Sequence, residues 1–396
     1  MKKSNILFLI LIISMVITSF SADLFPVKQR GKWGFIDKTG NIVIKPVYKD
    51  ATIFIDGLAM VKHRNNLVGY IDETGKDVIE AKFKGGAFFS EGKAMVMENR
   101  RKNAKYIYID KSGNPICDKK FDDGGEFREG LAPVKIGNIW KYINDKGEFV
   151  LDNEGFGYQD AGIFSEGLAP VFAGKGNDMK SYTYYYIDKD GNEKIKLETG
   201  KYMAVSKFSE GLAAVMYNRR WGYINKNGEF LIPAKYDFAH DFHGSVAAVI
   251  DGNNWMFINK EGKQICDKKW GGSGWAPEFY GNYYKAISSK RQQASSMGHR
   301  LFGGAMPMFN QSIIVDIDYY KSVPYFLDDY APMLLHVNTR KRQALYGFVD
   351  KTGKEVFKKK YDMVWPYHNG LAKVRVGKDK FGYIDISGKE VWKPQK

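Results

Sequence analysis

Sixteen residues recur along this chain with mostly conservative changes. WGFIDKTGNIVIKPVY begins at Trp33, WGYINKNGEFLIPAKY at Trp221 and YGFVDKTGKEVFKKKY at Tyr346. Nine copies of the box start at Trp33, Val68, Tyr106, Trp140, Tyr184, Trp221, Trp255, Tyr346 and Phe381. A unit this small cannot bury its apolar side alone. Neighbouring copies must stack, which limits the chain to a solenoid, a propeller or an array.

The box reads as a hairpin. Its third position is always aromatic, from Phe35 to Tyr383, and its fourth is Ile, or Val at Val349. Aromatic and β-branched residues at period two predict a strand. The fifth position is Asp or Asn, whose side chain accepts backbone N–H groups and opens a turn. The eighth is always Gly, from Gly40 to Gly388, a residue that takes the left-handed conformation freely. The turn pairs Asp37–Gly40, Asp72–Gly75, Asp110–Gly113 and Asp350–Gly353 are therefore read as structural. A second apolar strand follows, as in NIVIK.

A second box lies upstream of most copies: FIDGLAMV at Phe54, FSEGKAMV at Phe89, FREGLAPV at Phe127, FSEGLAPV at Phe164, FSEGLAAV at Phe208 and YHNGLAKV at Tyr367. Its end predicts one more short strand, which makes each unit a three-stranded antiparallel meander. About a dozen residues then connect one unit to the next. LFPVK at Leu24 opens unit one, and FLDDYAPML at Phe326 fits the second box. FYGNYYKAI at Phe279 fits it faintly, and SIIVDID at Ser312 supplies a strand. The expectation is about ten units, the eighth degenerate with a long loop near 288–311.

These boxes resemble the WG, or KWG, repeat family of bacterial proteins, over essentially residues 24–396. The Trp-Gly pair itself is less faithful: Gly34, Gly69, Gly222, Gly347 and Gly382 hold the second position, but Ile107, Lys141, Tyr185 and Met256 replace it elsewhere. The resemblance implies a β-repeat scaffold, often exported, closer to an interaction module than to an enzyme. An all-β fold follows. A propeller-like closed ring is favoured slightly because it protects strand edges, while three strands make a lean blade, which keeps an open curved array as the alternative.

Residues 1–22 read as a secretory signal peptide. Lys2 and Lys3 precede an apolar run from Ile6 to Ile17, too short to span a membrane. Cleavage after Ser21 places small Ser19 at the −3 position, whereas cleavage after Ala22 would place bulky Phe20 there. No stable transmembrane segment is expected after cleavage, and the mature chain is expected to be periplasmic, cell-surface or secreted. Without Lys2 and Lys3 the net charge falls from +15 to +13. A basic exported chain points to an acidic envelope polymer, an anionic lipid surface or a protein as partner, and not to nucleic acid.

Cys117 and Cys266 occupy matching places four residues after a box glycine, where other copies carry Ile44, Ile79, Leu151, Ile232 or Phe357. Both are read as small core residues, unpaired with each other. No metal or cofactor is expected. Asp188, Asp190 and Glu193 come nearest to a calcium loop, but the turn accounts for the repeated Asp or Asn in all nine copies, most of which lack further oxygen ligands. His240 and His243 lack a third ligand at metal spacing. No serine stands in a nucleophile elbow. One region breaks the repeat, from Trp270 onward. Trp270, Trp275, Tyr280, Tyr283 and Tyr284 with Lys290, Arg291 and Arg300 form the candidate ligand-binding set, since aromatics beside cations suit sugars or anionic polymers. The functional expectation is an exported, non-enzymatic scaffold that binds protein or envelope polymer. A lectin-like glycan binder is the alternative, and a hydrolase the remote one.

Overall fold

The computed structural model describes residues 23–98, 105–151, 157–174, 183–252, 254–266, 270–271, 329–338, 343–378 and 380–395. These form nine small antiparallel sheets set in a ring, a nine-bladed β-propeller. The second blade shows the full pattern. Its strands are Asp50–Ile55, Leu58–Lys62, Val68–Ile71 and Asp77–Phe83, each paired with the next. The second to fourth strands are the predicted meander. The first lies inside what the sequence presents as a connection. Among the described residues six of the nine blades have four strands, the first blade lacks the first strand, the third lacks the fourth and the eighth has only the middle two, so the full blade is not too lean. In the third, fourth, fifth and seventh blades this first strand is only two residues, such as Gly85–Gly86 or Asp160–Ala161.

Nine blades replace the expected ten. Ala331, Met333 and Val349 of the eighth blade share one core cluster with Val249, Phe257 and Ile258 of the seventh. The two sheets pack directly on each other, with no unit between them. The expected degenerate unit, from Phe279 through the long loop to the strand at Ser312, lies outside the described residues.

The ring closes by the contacts that join every other pair of blades. Phe25, Val27 and Ile36 of the first blade form one cluster with Leu371 and Tyr383 of the ninth. The Tyr383 hydroxyl donates to the Pro26 carbonyl at 2.9 Å. Closure excludes the open array.

The second box position decides how far the fourth strand runs. A Cβ at Gly34, Gly69, Gly222 or Gly382 would stand 2.4–2.6 Å from a fourth-strand carbonyl oxygen, of Ile44, Ile79, Ile232 or Trp392. Those four blades carry long fourth strands: Ile42–Tyr48, Asp77–Phe83, Phe230–Tyr236 and Glu390–Gln395. Where Lys141, Tyr185 or Met256 replaces glycine, the strand shrinks to Phe149–Leu151, Glu193–Lys196 or Trp270–Gly271. Beside Ile107, only isolated bridges to Pro115 and Phe121 remain. Gly347 differs, since its close neighbour is the Leu335 side chain. Gly222→Val is expected to cost about 2 kcal/mol or more by overpacking against backbone. Ile107→Val, at the same box position, is expected to cost only about 1 kcal/mol. Urea unfolding of the two variants tests the difference.

Candidate functional site

Two ends of the ring differ in how they use charge. At one end lie the turns between first and second strands, and the box turns between third and fourth. The turn in Phe-Ser-Glu-Gly-Leu is a two-residue hairpin with both residues left-handed: Glu91 has φ 51° and Gly92 φ 75°, Glu166 φ 56° and Gly167 φ 84°. A left-handed glutamate costs roughly 1–2 kcal/mol. What offsets that cost is a bond to the next blade. Glu91 accepts the Glu129 and Gly130 N–H groups at 2.6 and 2.8 Å. Glu129 accepts from Gly167, Glu166 from Gly211, and Glu210 from Ser245. Asp56 does the same for Gly92 at 2.7 Å. At the closing junction Asn369 donates to Asp23 at 2.6 Å.

The rest of the box strengthens the same junctions. Ser90, Ser165 and Ser209 each donate to the next blade's phenylalanine carbonyl at 2.7 Å. The lysine after the turn Asp or Asn pairs backwards, as in Lys111–Asp56 at 2.8 Å and Lys226–Glu166 at 3.2 Å. Lys189–Glu129 and Lys260–Glu210 follow the same rule. The third box position adds a buried donor. The Tyr70, Tyr108, Tyr142, Tyr186 and Tyr223 hydroxyls donate to Ala87, Gly125, Gly162, Ser206 and His240 carbonyls at 2.7–2.8 Å. Burial drives these phenols far above their ordinary pKa, so they remain donors throughout.

The opposite end carries the hairpins between second and third strands. Their described residues include twelve Lys and Arg against Glu98 and Asp251 alone. Lys105 pairs with Asp122 and Arg220 with Asp237. The other ten make no direct ion pair, although Lys28 and Lys62 act on the Asp50 carboxylate and Lys135 on that of Asp122: Lys28, Arg30, Lys32, Lys62, Arg64, Lys135, Arg219, Arg375, Lys378 and Lys380. This basic end is the candidate interface. Sequence reading missed it because the strand ends that gather these residues are far apart in the chain; the signal was a cation at nearly every such hairpin.

The predicted turn residues sit where the repeat requires. Asp37 Oδ1 accepts the Thr39 and Asn41 N–H groups at 2.8 and 2.9 Å, and Gly40 has φ 91°. Asp72, Asp110 and Asp350 accept in the same way, with Gly75, Gly113 and Gly353 left-handed. Asp188 binds the Asp190 and Asn192 N–H groups, the Asn192 side chain and Lys194, so its oxygens are engaged within the turn. Among the described residues no group of three His, Cys, Asp or Glu converges for a metal. Cys117 and Cys266 are free thiols in different core clusters. His240 lies stacked on Trp255, ring centroids 5.8 Å apart, and burial pushes its imidazole pKa down. A cleft of about 250 Å³ between the sixth and seventh blades, lined by Tyr236, Met256 and Gln264 among others, holds one carboxylate, Asp251.

Of the candidate ligand set only Trp270 falls within the described residues. Its backbone pairs with Trp255, as Tyr48 pairs with Trp33 and Tyr236 with Trp221. It holds the sixteenth box place and belongs to the scaffold's register. Trp275, Tyr280, Tyr283, Tyr284, Lys290, Arg291 and Arg300 lie outside the described residues, as do residues 1–22. No helix among the described residues is long and apolar enough to cross a membrane.

The family model for the WG containing repeat matches residues 33–66, 69–101, 108–140, 142–175, 186–220, 221–255 and 346–378. No curated protein matches the chain. Among solved structures, a eukaryotic initiation factor aligns over 95% of this chain and 97% of its own, at 11% identity and a TM-score of 0.60. BamB from Moraxella catarrhalis aligns over 61% and 80%, at 10% identity and 0.33. Hsv2 of Kluyvelomyces marxianus aligns over 60% and 88%, at 10% identity and 0.35. The first likeness is one of fold alone.

The turn carboxylates give the ring a pH dependence. The Asn192 side chain foremost, with the Asn192 and Asp190 N–H groups and Lys194, outweighs burial and lowers the Asp188 pKa from 3.8 to about 2. A carboxyl with a lowered folded pKa adds stability above its unfolded pKa, and that stability is lost as pH falls through the folded value. Asp188→Asn is therefore expected to be less stable than the parent chain at pH 6. The gap should close between about pH 5 and pH 2 in urea melts.

Proposed function

This chain belongs to the WG containing repeat family, and on that premise we propose that it is an exported, non-catalytic propeller scaffold that binds a protein or acidic polymer of the cell envelope through its basic end. One observation carries the reading. Among the described residues four turn-end lysines pair with carboxylates of the neighbouring blade, while at the hairpin end ten cations have no ion pair and only Glu98 and Asp251 share their hairpins. Unpaired like charges repel one another and gain most from an acidic partner. Export is supported by the basic, apolar and small-residue pattern of residues 1–22. It would place the basic end among envelope components and away from nucleic acid.

The scaffold reading also fits the use of the repeated polar residues. Glu91, Ser90, Tyr108 and their counterparts hold neighbouring blades, and so are engaged in structure. A turnover activity of the purified protein that one point mutation abolishes would overturn the non-catalytic part.

Residues 23–396 contain every described blade. In a pull-down against fractionated envelope, that chain is expected to retain an acidic component at low salt and release it at high salt. Retention that high salt leaves unchanged would speak against charge as the basis. N-terminal sequencing of protein recovered outside the cytoplasm is expected to begin at Ala22 or Asp23; a start at Met1 would remove the cleaved leader.

A further inference from the structure

The first blade lacks an element that the second to seventh and the ninth possess. Its strands are Phe25–Gln29, Lys32–Ile36 and Ile42–Tyr48, and among the described residues no first strand pairs with Phe25–Gln29. Elsewhere that strand has two duties at the junction behind it. It leads into the box aromatic, whose ring packs on the third-position aromatic of the preceding blade. Phe89 stands on Tyr70 with centroids 4.9 Å apart, Phe127 on Tyr108 at 5.3 Å and Tyr367 on Phe348 at 4.8 Å. It also offers a carbonyl to that blade's tyrosine, as Ala87 does to Tyr70. The closing junction meets both duties from its second strand instead.

The third place of GLAPV and its counterparts is alanine in every other blade, from Ala59 to Ala372, and Phe25 in the first. In the second and ninth blades that alanine is the direct cross-strand neighbour of the box aromatic, Phe54 with Ala59 and Tyr367 with Ala372. A large ring at the alanine place therefore grows into the room that a box phenylalanine would fill. Phe25 is buried and packs edge-on against Tyr383, centroids 5.6 Å apart. The second duty passes to Pro26. In the fourth and fifth blades the matching Pro133 and Pro170 carbonyls accept the Gly125 and Gly162 N–H groups that precede the box. In the first blade the Pro26 carbonyl accepts the Tyr383 hydroxyl at 2.9 Å. The hairpin bond is reversed as well. Elsewhere the preceding blade supplies the carboxylate, as Glu91 does to Gly130. Here Asp23 supplies it, to Asn369 at 2.6 Å and Lys38 at 2.5 Å.

We infer that Asp23, Phe25 and Pro26 form a latch that closes the ring in place of a first strand, so that the chain from Asp23 onward is a complete propeller. The inference rests on the reading of residues 1–22 as a leader and adds what its removal leaves behind. The leader ends in a partial copy of the second box. Phe20 and Ser21 precede Leu24 at the spacing by which Phe164 and Ser165 precede Leu168. Cleavage after Ser21 takes both away at little cost to the ring, because Phe25 already holds the place against Tyr383. Further upstream the copy fails: bulky Val16 and Ile17 stand where first strands carry Asp123–Gly124 and Asp160–Ala161.

The test compares residues 23–396 with variants by thermal melting and amide hydrogen exchange. Phe25→Ala is expected to lower the melting temperature by about 5 °C and to speed exchange in the ninth-blade strand Lys380–Asp385. Grafting residues 122–130 of the fourth blade directly before Leu24, in place of Asp23, supplies a first strand with its own phenylalanine. The graft is expected to restore most of the loss in Phe25→Ala. It is expected to leave the unsubstituted chain no more stable, since two rings then compete for one place. Phe25→Leu gives the same comparison on a smaller scale if Phe25→Ala does not fold. A loss that the graft fails to restore would make Phe25 an ordinary core residue and overturn the latch. A graft that stabilises the unsubstituted chain would overturn it too, by showing the first-strand place to be open. So would a chain of residues 15–396 that melts above residues 23–396, since the leader would then be the strand. These melts use chains of fixed ends, so N-terminal sequencing decides the leader reading separately.

Discussion

The ring depends on one contact made at junction after junction: the box glycine of one blade against the side chain four places after the box glycine of the blade before it. Gly75 sits on Ile44, Gly113 on Ile79, Gly147 on Cys117, Gly228 on Ile195 and Gly262 on Ile232, where an added Cβ would stand 2.4–3.1 Å from the neighbour. Gly40 closes the circle against Val391, whose backbone carbonyl oxygen would stand 2.5 Å and whose side chain 3.3 Å from an added Cβ. The glycine meets two demands at once. Its φ is positive, 91° at Gly40 and 72° at Gly147, and it leaves no room for a side chain. A turn alone needs only the first, and asparagine meets that at some cost. The second demand comes from the neighbouring blade, which gives a steric reason why no copy of the box carries anything but Gly there.

Most of the fold is legible because its junction residues repeat. The aromatic third position, the turn Asp and the box glycine announce a hairpin, and their number announces a stack. The first strand of the blade stays hidden for a physical reason. Two residues such as Gly85–Gly86 or Asp123–Gly124 show no alternation, and glycine carries no strand propensity. The strand exists because the second strand offers it hydrogen bonds, for example Gly125 N–H to the Pro133 carbonyl at 2.8 Å. The same limit hides the role of Glu in Phe-Ser-Glu-Gly. Locally it is a poor residue for a left-handed turn, and only the next blade's N–H groups make it a good one. The basic end shows in sequence as a net charge and a cation at hairpin after hairpin, and these cations share one end only once the blades are in place.

The repeat seen in sequence and the blade seen in structure are out of phase. The matched segment 33–66 begins with the third strand of the first blade and ends in a hairpin of the second. Each sequence unit therefore spans a junction, and each blade is built from two units. Selection on a unit that spans a junction acts on the contact between blades directly: Ile44 and Gly75, Asp56 and Gly92, Tyr70 and Ala87 bridge that first junction or the one after it. A buried tyrosine bond contributes about 1 kcal/mol. Repeated around a closed ring, such terms couple every blade to two neighbours, so no blade frays as a free end would.

The division of charge between the two ends follows from the same geometry. Turn-end residues touch a neighbouring blade, so a charge there needs a counter-charge at a fixed distance, and lysine follows the turn Asp or Asn in the third, fifth, sixth and seventh copies to provide it. A hairpin between second and third strands meets no such condition. Arg30, Arg64, Arg219 and Lys378 are exposed and hold no ion pair. Their charge is free of the fold's demands, since a polar neutral residue would close the same turns, as Asn254 does beside Gly252 on the seventh blade. The ring could have been built with neutral hairpins, so the excess of cations at that end is one that the architecture does not require.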